Sequence, residues 1–261
     1  MAEAQWALVT GASSGIGLEL ARLFAQNGFH LVVAAEDDDI HRLPGLLSEY
    51  GRDVQVVQVD LRTAVGVETL FGRATEHGRH PAVAALNAGV GRGDMFLRSE
   101  LQDDLDIVDL NVRSTMHLAK LVLRDMADRR NGKILFTSSV ASMMPGSYQT
   151  VYNASKSFVQ SFAKALQDEL RHGPITVTTL LPGPTDTDFF ARAKMLNTPV
   201  GRMNKDDPAD VARQGYEALM RGDKQVVAAS TSSKVIGTVS RVLPDSVKAA
   251  GSRLISRPLG R

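Results

Sequence analysis

A glycine-containing turn near the N-terminus constrains the fold of this chain more than any other feature. The apolar run at residues 6–9 leads directly into Thr10-Gly11-Ala12-Ser13-Ser14-Gly15-Ile16-Gly17, and a helical pattern follows that ends at Asn27-Gly28. Strand, turn and helix in this order place free backbone N–H groups and the positive end of a helix at one point. The spacing is neither the Gly-x-Gly-x-x-Gly fingerprint nor a Walker loop. It nevertheless favours a nucleotide-phosphate site over a tight turn without a ligand.

Further apolar runs alternate with helical patterns along the rest of the chain. The predicted strands are residues 6–10, 30–35, 54–59, 82–86, 133–137, 175–181 and 225–229. This alternation predicts an α/β fold with a parallel sheet of about seven strands and helices on both faces. In such a sheet, ligands bind at the carboxyl ends of the strands.

The residues at those strand ends are the candidate ligand contacts. Glu36 follows the second strand, where a carboxylate accepts from the ribose hydroxyls of a nucleotide and repels a 2′-phosphate, which favours NAD over NADP. Asp38 and Asp39 are interpreted as solvated. Small residues after the fourth strand allow a flat ring to approach the backbone. The other strand ends carry Asp60-Leu61, Asn87-Ala88-Gly89, Ser138-Ser139 and Pro182-Gly183-Pro184-Thr185-Asp186-Thr187.

A tyrosine and a lysine four residues apart open another helical segment, at Tyr152 and Lys156. Positions i and i+4 share a helix face, so we expect the lysine to lower the pKa of the phenol from about 10 and make it a usable acid or base. By itself the pair is equally typical of a solvated helix face. Asn111, on a helix predicted over residues 103–128, has to satisfy a buried amide by a local bond or as part of a relay.

Composition excludes several function classes. The chain has 261 residues and no Cys, so disulfides, thiolate metal sites and cysteine nucleophiles are excluded. Thirty Lys and Arg against 29 Asp and Glu give a net charge of +1, which argues against a broad nucleic-acid surface. We find no secretory or membrane-spanning pattern, and we expect a cytoplasmic protein without a metal site.

Two segments are harder to interpret. Residues 188–207 carry apolar side chains without a clear period, and form either a lid over an apolar substrate or a surface helix. Residues 1–230 are predicted to be one domain, followed by a basic amphipathic extension over residues 231–261. The extension has six Lys or Arg residues against Asp245, with apolar spacing at Val235, Ile236, Val239, Val242, Leu243, Leu254 and Ile255. Docking on the domain or at a subunit interface is favoured over contact with anionic lipid.

Taken together, these motifs resemble those of the classical short-chain dehydrogenase/reductase family. The resemblance covers nearly all of residues 6–230, and its motifs stand in the family's order. Leu86 departs from it, because many members carry a second Asn there. Ala35-Glu36 also departs, matching neither the NAD-type nor the NADP-type pattern. The matching residues are Thr10, Gly11, Gly15, Ile16, Gly17, Asp60, Asn87, Ala88, Gly89, Asn111, Ser139, Tyr152, Lys156, Pro182, Gly183 and Thr187.

The resemblance implies a Rossmann-type doubly wound fold and hydride transfer between NAD(P) and a carbonyl or alcohol. Tyr152 would transfer the proton, and Ser139 would bind the substrate oxygen. Ser139 is chosen over Ser138 because it lies thirteen residues before Tyr152 in the sequence, the usual separation in the family. Lys156 would tune the tyrosine and bind the nicotinamide ribose, and Asn111 would hold a relay water. Dimers or tetramers are also implied. The alternative is a binding protein that holds the dinucleotide as a sensor or scaffold. The expected cofactor contacts are Gly11, Ser13, Ser14, Gly15, Ile16, Gly17, Glu36, Asp60, Leu61, Asn87, Ala88, Gly89, Tyr152, Lys156, Pro182, Gly183, Thr185 and Thr187.

An apolar substrate is expected from the side chains near the candidate site. Met143, Met144, Phe189, Phe190 and Met195 suggest a pocket for a lipid-like, acyl or steroid-like carbonyl. Because Met adapts to many environments, these residues could equally pack against one another.

Overall fold

The computed structural model describes residues 5–228 and 244–259. Seven parallel strands form one sheet in the order 3-2-1-4-5-6-7. Each strand lies within one residue of its predicted bounds, so the predicted fold class is confirmed. The strands are β1 (Trp6–Thr10), β2 (His30–Ala35), β3 (Val54–Gln58), β4 (Pro81–Leu86), β5 (Gly132–Thr137), β6 (Ile175–Pro182) and β7 (Gln225–Ala228).

Helices cover both faces of this sheet. They are α1 (Gly15–Gln26), α2 (Leu43–Leu46), α3 (Ala64–Thr75), α4 (Leu101–Val108), α5 (Thr115–Asp128), α6 (Thr150–Glu169), α7 (Phe189–Arg192), α8 (Pro199–Arg202), α9 (Pro208–Arg221) and the C-terminal helix (Asp245–Ser256). Short 3₁₀ turns occupy Asp38–Arg42, Ser48–Tyr50, Glu76–Gly78 and Val140–Met143.

Two apolar cores form because successive side chains of each strand point to opposite faces. Val9 of β1 packs in the core that contains Phe24 of α1 and Leu219 of α9, whereas Leu8 packs in the core that contains Leu70 of α3 and Val159 of α6. Burial on both faces explains why the strands read as continuous apolar runs in the sequence.

The predicted helix over residues 103–128 contains a wider turn. A π-helical stretch, Asp109–Ser114, joins α4 to α5, and Asn111 lies within it, completely buried. Such turns occur often at functional sites, because they re-aim side chains without ending the helix.

The start of α9 follows the sequence prediction. Asp207 is its N-cap, with Oδ1 accepting from the backbone N–H of Ala209 at 2.8 Å, and Pro208 occupies the first turn.

Residues 188–207 contain α7 and α8, and their apolar side chains pack together. Phe190, Ala193, Met195 and Val200 form a small buried cluster against which Phe189 rests. These residues form a compact segment at the carboxyl edge of the sheet, which we call the lid segment.

The C-terminal helix docks in a way that the apolar spacing does not predict. Leu254 is 73% exposed and Ile255 44% exposed, whereas Ser252 and Ser256 are buried. Leu254 therefore does not dock the helix on its own domain, and docking at a subunit interface stays a prediction; Ser252 and Ser256 are the residues of this helix that are buried against the domain. The other predicted apolar positions, Val235, Ile236, Val239, Val242 and Leu243, lie outside the described residues. Among the described helices, none is both long and apolar enough to cross a bilayer.

Candidate active site

The order of the strands reverses between β1 and β4, which opens a crevice at their carboxyl ends. A cavity of about 330 Å³ lies there, and most of the predicted site residues line it. Gly17 and Asn111 do not line it. The predicted residues in its wall are Gly11, Ser13, Ser14, Gly15, Ile16, Glu36, Asp60, Leu61, Asn87, Ala88, Gly89, Ser139, Tyr152, Lys156, Pro182, Gly183, Thr185 and Thr187.

The glycine turn leaves no room for side chains. Gly11 and Gly15 have φ of +65° and +56°, which favour glycine. A Cβ on Gly15 would lie 2.7 Å from Cγ2 of Thr187, and a Cβ on Gly17 would collide with the carbonyl oxygen of Gly11. Gly17 therefore lets the first turn of α1 pack directly against the backbone of Gly11. The turn itself presents backbone at the cavity, as a pyrophosphate site requires.

Asn87 holds three strand ends together. Its Nδ2 donates to the carbonyl oxygen of Thr10 at 3.2 Å, and its Oδ1 accepts from the hydroxyl of Thr137 at 3.1 Å. These bonds join the ends of β1, β4 and β5, so the floor of the cavity is rigid.

Asn111 lies behind that floor with its amide satisfied. Nδ2 donates to the carbonyl oxygen of Val90 and to Oγ of Ser155, both at 2.9 Å, and Oδ1 accepts from the N–H of Val90 at 2.9 Å. A Cβ on Gly89 would lie 3.1 Å from Asn111 Oδ1 and 2.9 Å from Lys156 Nζ, so both groups lie against the same glycine. Gly89 thus lies between the Asn111 amide and the ammonium of Lys156, with no side chain of its own to separate them.

Tyr152 and Lys156 are both buried, at 8% and 5% exposure. Lys156 Nζ donates to the carbonyl oxygen of Thr137 at 2.9 Å and lies 6.0 Å from the centre of the Tyr152 ring. The two neighbouring serines differ. Ser138 donates to the carbonyl oxygen of Lys156 at 2.9 Å, whereas Oγ of Ser139 accepts from the N–H of Ala141 at 3.1 Å and lies close enough to Tyr152 to lower the pKa of its phenol. Ser139 is thus the serine that reaches the phenol.

Burial reverses the expected pKa of the tyrosine. Removal from water raises the pKa of Tyr152 to about 12, against the opposing pull of the Ser139 hydrogen bond. Burial also lowers the pKa of Lys156 to about 8, because it disfavours the ammonium. The expectation that Lys156 lowers the phenol's pKa below 10 is therefore wrong. Desolvation by burial outweighs the opposing effect of Ser139.

Asn153 is a site residue that the sequence did not single out. Its Nδ2 donates to the carbonyl oxygens of Ala141 and Met144, at 3.0 and 3.1 Å, and so holds the loop that follows Ser139. Its buried Oδ1 has no partner among the described residues. Its position next to Tyr152 is the one signal in the sequence that pointed to it.

At the opposite end of the cavity, Arg62 forms ion pairs with the carboxylates that follow β2 and β3 and with one carboxylate of α4. Arg62 binds Glu36 at 2.8 Å, Asp60 at 2.9 Å and Asp106 at 3.2 Å. The hydrogen bond from Arg62 holds the pKa of Asp60 below its usual value. Glu36 lines the cavity with its charge already paired.

Asp37, which the sequence analysis passed over, also lines this end of the cavity. Its Oδ2 accepts from the hydroxyl of Ser13 at 2.9 Å, and its Oδ1 is buried without a partner among the described residues. Arg192 of the lid segment lies 3.8 Å from Oδ2 of Asp37. An unpaired buried carboxylate oxygen suits the hydroxyl of a ribose.

The lid segment forms an apolar wall beside Tyr152. The Phe189 ring lies 5.1 Å from the Tyr152 ring, and Gly91 makes room for it, since a Cβ there would lie 2.6 Å from Cζ of Phe189. Met144 and Phe190 also line the cavity, whereas Met195 packs within the lid segment and Met143 does not line the wall. Within the described residues, no group of three or more His, Cys, Asp or Glu side chains could hold a metal ion.

Comparison with known families agrees with this geometry. The family model for short chain dehydrogenases matches residues 5–196. The chain belongs to the short-chain dehydrogenase family. It is therefore an oxidoreductase of that family, and the predicted family membership is confirmed.

Individual relatives are similar over most of their length. The oxidoreductase UcpA of Salmonella typhimurium is 32% identical over 216 residues, which are 82% of this chain and 79% of that protein. The 3-oxoacyl-[acyl-carrier-protein] reductase FabG of Vibrio cholerae is 29% identical over 218 residues, covering 80% and 87%.

Solved structures share the architecture. A short-chain dehydrogenase from Sphingobium yanoikuyae in complex with NADPH has a TM-score of 0.81 at 25% identity, covering 92% of this chain and 96% of that one. A short-chain dehydrogenase/reductase from Burkholderia phymatum in complex with NAD has a TM-score of 0.81 at 24% identity, covering 90% and 92%. Binding of a nicotinamide cofactor is thereby supported.

Replacement of Lys156 should reveal the cost of burying its charge. Its folded pKa of about 8 lies below the usual lysine value of 10.5, so the unfolded chain binds more protons between these pH values and stability rises with pH there. Below pH 8 the full free-energy cost of burying the Lys156 ammonium is present. We expect Lys156→Met to raise the free energy of unfolding at pH 7 by on the order of 3 kcal/mol, with the gain disappearing towards pH 10.5.

Urea unfolding at the two pH values measures this difference. The exposed Lys120 offers a matched control, and Lys120→Met should show the same small effect at both pH values. A destabilised Lys156→Met at pH 7 would show that the bond to Thr137 outweighs desolvation.

Proposed function

We propose that this protein transfers a hydride between NAD(P) and a carbonyl or alcohol carbon. The observation that carries the proposal is the buried Tyr152 hydroxyl, which meets Ser139 on one side and has Lys156 behind it in the cavity wall. A binding protein without turnover has no need of this arrangement. The scaffold reading is therefore the weaker alternative.

The site's own residues supply proton transfer and charge stabilisation, and the nicotinamide supplies or accepts the hydride. With a pKa of about 12, Tyr152 holds its proton at neutral pH and is suited to donate it to a carbonyl oxygen. Ser139 would hydrogen-bond the same oxygen and stabilise its alkoxide character. Lys156 would bind the nicotinamide ribose and favour the phenolate in the reverse direction. Asn111 Oδ1 would hold the relay water with its second lone pair.

NAD is the proposed cofactor. Glu36, Asp37 and Asp60 surround the end of the cavity that would hold the adenosine, against Arg62 and Arg192. The excess of negative charge disfavours a 2′-phosphate, while Asp37 Oδ1 is free to accept from a ribose hydroxyl. The glycine turn, which a Cβ would fill, is suited to the pyrophosphate.

The proposed substrate is an apolar ketone, acyl compound or steroid-like carbonyl, or the matching alcohol. Support comes from the aromatic and aliphatic wall that Met144, Phe189, Phe190, Val200 and Met203 build beside Tyr152. The division into a domain over residues 1–230 and an extension over residues 231–261, the cytoplasmic location and the assembly into dimers or tetramers stay predictions.

Removal of the phenol hydroxyl tests the reaction. We expect purified protein to oxidise NADH or NADPH in the presence of an aromatic or aliphatic ketone, and Tyr152→Phe to reduce this turnover at least a thousandfold, because proton transfer and substrate orientation are lost together. Cofactor affinity, measured by fluorescence, should stay within about threefold. Tyr50→Phe, which removes a hydroxyl bonded to Gln26 outside the cavity wall, is the matched control. Undiminished turnover in Tyr152→Phe would contradict the proposal.

A second titration tests the cofactor. NADH should bind at least tenfold more tightly than NADPH, and Asp37→Ser should narrow that ratio by removing the carboxylate that faces the ribose. Asp39→Ser removes the same charge from a side chain that is 63% exposed. This change should leave the ratio of NADH to NADPH affinity nearly unchanged. Tighter binding of NADPH by the unaltered protein would overturn the assignment of NAD.

A further inference from the structure

The C-terminal helix faces the cavity with two serines and one isoleucine, Ser252, Ser256 and Ile255. Ser252 and Ser256 are 3% and 1% exposed, whereas Leu254 between them is 73% exposed. Residues four apart share a helix face, so the two hydroxyls lie along one line on the buried side. Both residues belong to the wall of the cavity that holds Tyr152.

Specific hydrogen bonds hold this helix in place. Gln149 Nε2 donates to Oγ of Ser256 at 2.9 Å, and Gln149 immediately precedes the helix that carries Tyr152. Beyond the C-terminal helix, Leu259 donates to the carbonyl oxygen of Asn197 at 2.9 Å and accepts from its side chain at 2.8 Å. The helix thus bridges the start of α6 and the lid segment.

The hydroxyls keep unused hydrogen-bonding capacity. Ser252 Oγ has no hydrogen-bond partner in the part of the chain that the structure describes, and Ser256 Oγ accepts from Gln149 while its own proton has no acceptor there. A hydroxyl that lines a cavity without a protein partner can form a hydrogen bond with a ligand group. The lid segment contributes Phe189, Phe190, Val200 and Met203 to the wall, with Asp188 and Arg192 as its charged members.

We infer that Ser252, Ser256 and Gln149 form a polar subsite for a second oxygen function of the substrate, at a distance from the carbonyl that is reduced. This inference rests on the proposed function and narrows its substrate class: an apolar ketone that carries a hydroxyl or a second carbonyl group. The apolar walls bind the skeleton, the polar subsite binds the remote oxygen, and Tyr152 receives the reacting carbonyl. The C-terminal helix is then a specificity element of the enzyme.

A matched pair of ketones tests the subsite. The unaltered protein should have a higher kcat/KM for 4-(4-hydroxyphenyl)cyclohexanone than for 4-phenylcyclohexanone, which lacks only the remote hydroxyl. Ser252→Ala should lower kcat/KM for the hydroxylated ketone about tenfold, mainly through KM, and leave the other ketone unchanged. Ser256→Ala should act in the same direction. Leu254→Ala, on the exposed face of the same helix, should change neither.

A binding measurement separates this inference from the proposed function. Calorimetric titration of the hydroxylated ketone into Tyr152→Phe protein with NADH needs no turnover, and Ser252→Ala in that background should weaken binding about tenfold. If neither ketone is reduced but this difference in binding remains, the proposed hydride transfer is wrong and the proposed polar subsite is supported. Equal loss for both ketones, or no preference for the hydroxylated one in either assay, overturns the subsite.

Discussion

The candidate site depends on the burial of one ammonium group. Lys156 is carried into the protein interior by α6 and donates to the carbonyl oxygen of Thr137 at the end of β5. Loss of hydration lowers its pKa to about 8 and raises that of Tyr152 to about 12. Burial therefore drives the two pKa values apart, from the nearly equal ordinary values of 10.5 and 10.0, in a dry environment in which each charge strongly affects the other.

The surrounding fold holds Tyr152 and Lys156 in the wall of the cavity that also contains the glycine turn. Parallel strands bring Thr10, Asn87 and Thr137 to one edge, where Asn87 bonds the other two. The π-helical turn directs Asn111 into the space behind Gly89, where it ties the loop after β4 to Ser155 of α6. The hydrogen-bonded strand ends and the braced helix hold the proposed reacting groups in place, while the lid segment and the C-terminal helix line another part of the same cavity.

The sequence predicted what depends on local pattern and spacing. Apolar runs located the seven strands, because both faces of the sheet are buried, and the separation of Ser139, Tyr152 and Lys156 placed them together on the cavity wall. It could not predict what depends on tertiary burial. The pKa of Tyr152 moved in the opposite direction because adjacency is visible in a sequence and desolvation is not. Asp37 was missed for the same reason, since only the packed structure leaves its Oδ1 buried without a partner among the described residues. The burial of Ser252 likewise becomes visible only in the packed structure.

Transfer of a labelled hydride tests the central claim most directly. Reduction of a ketone by the unaltered protein with NADH deuterated at both C4 positions of the nicotinamide should give an alcohol that carries deuterium on its carbinol carbon, as mass spectrometry of the product would show. Tyr152→Phe should form none of this product. An unlabelled alcohol, or equal labelled product from Tyr152→Phe, would contradict the assignment of Tyr152 as the proton donor in a nicotinamide-dependent reduction.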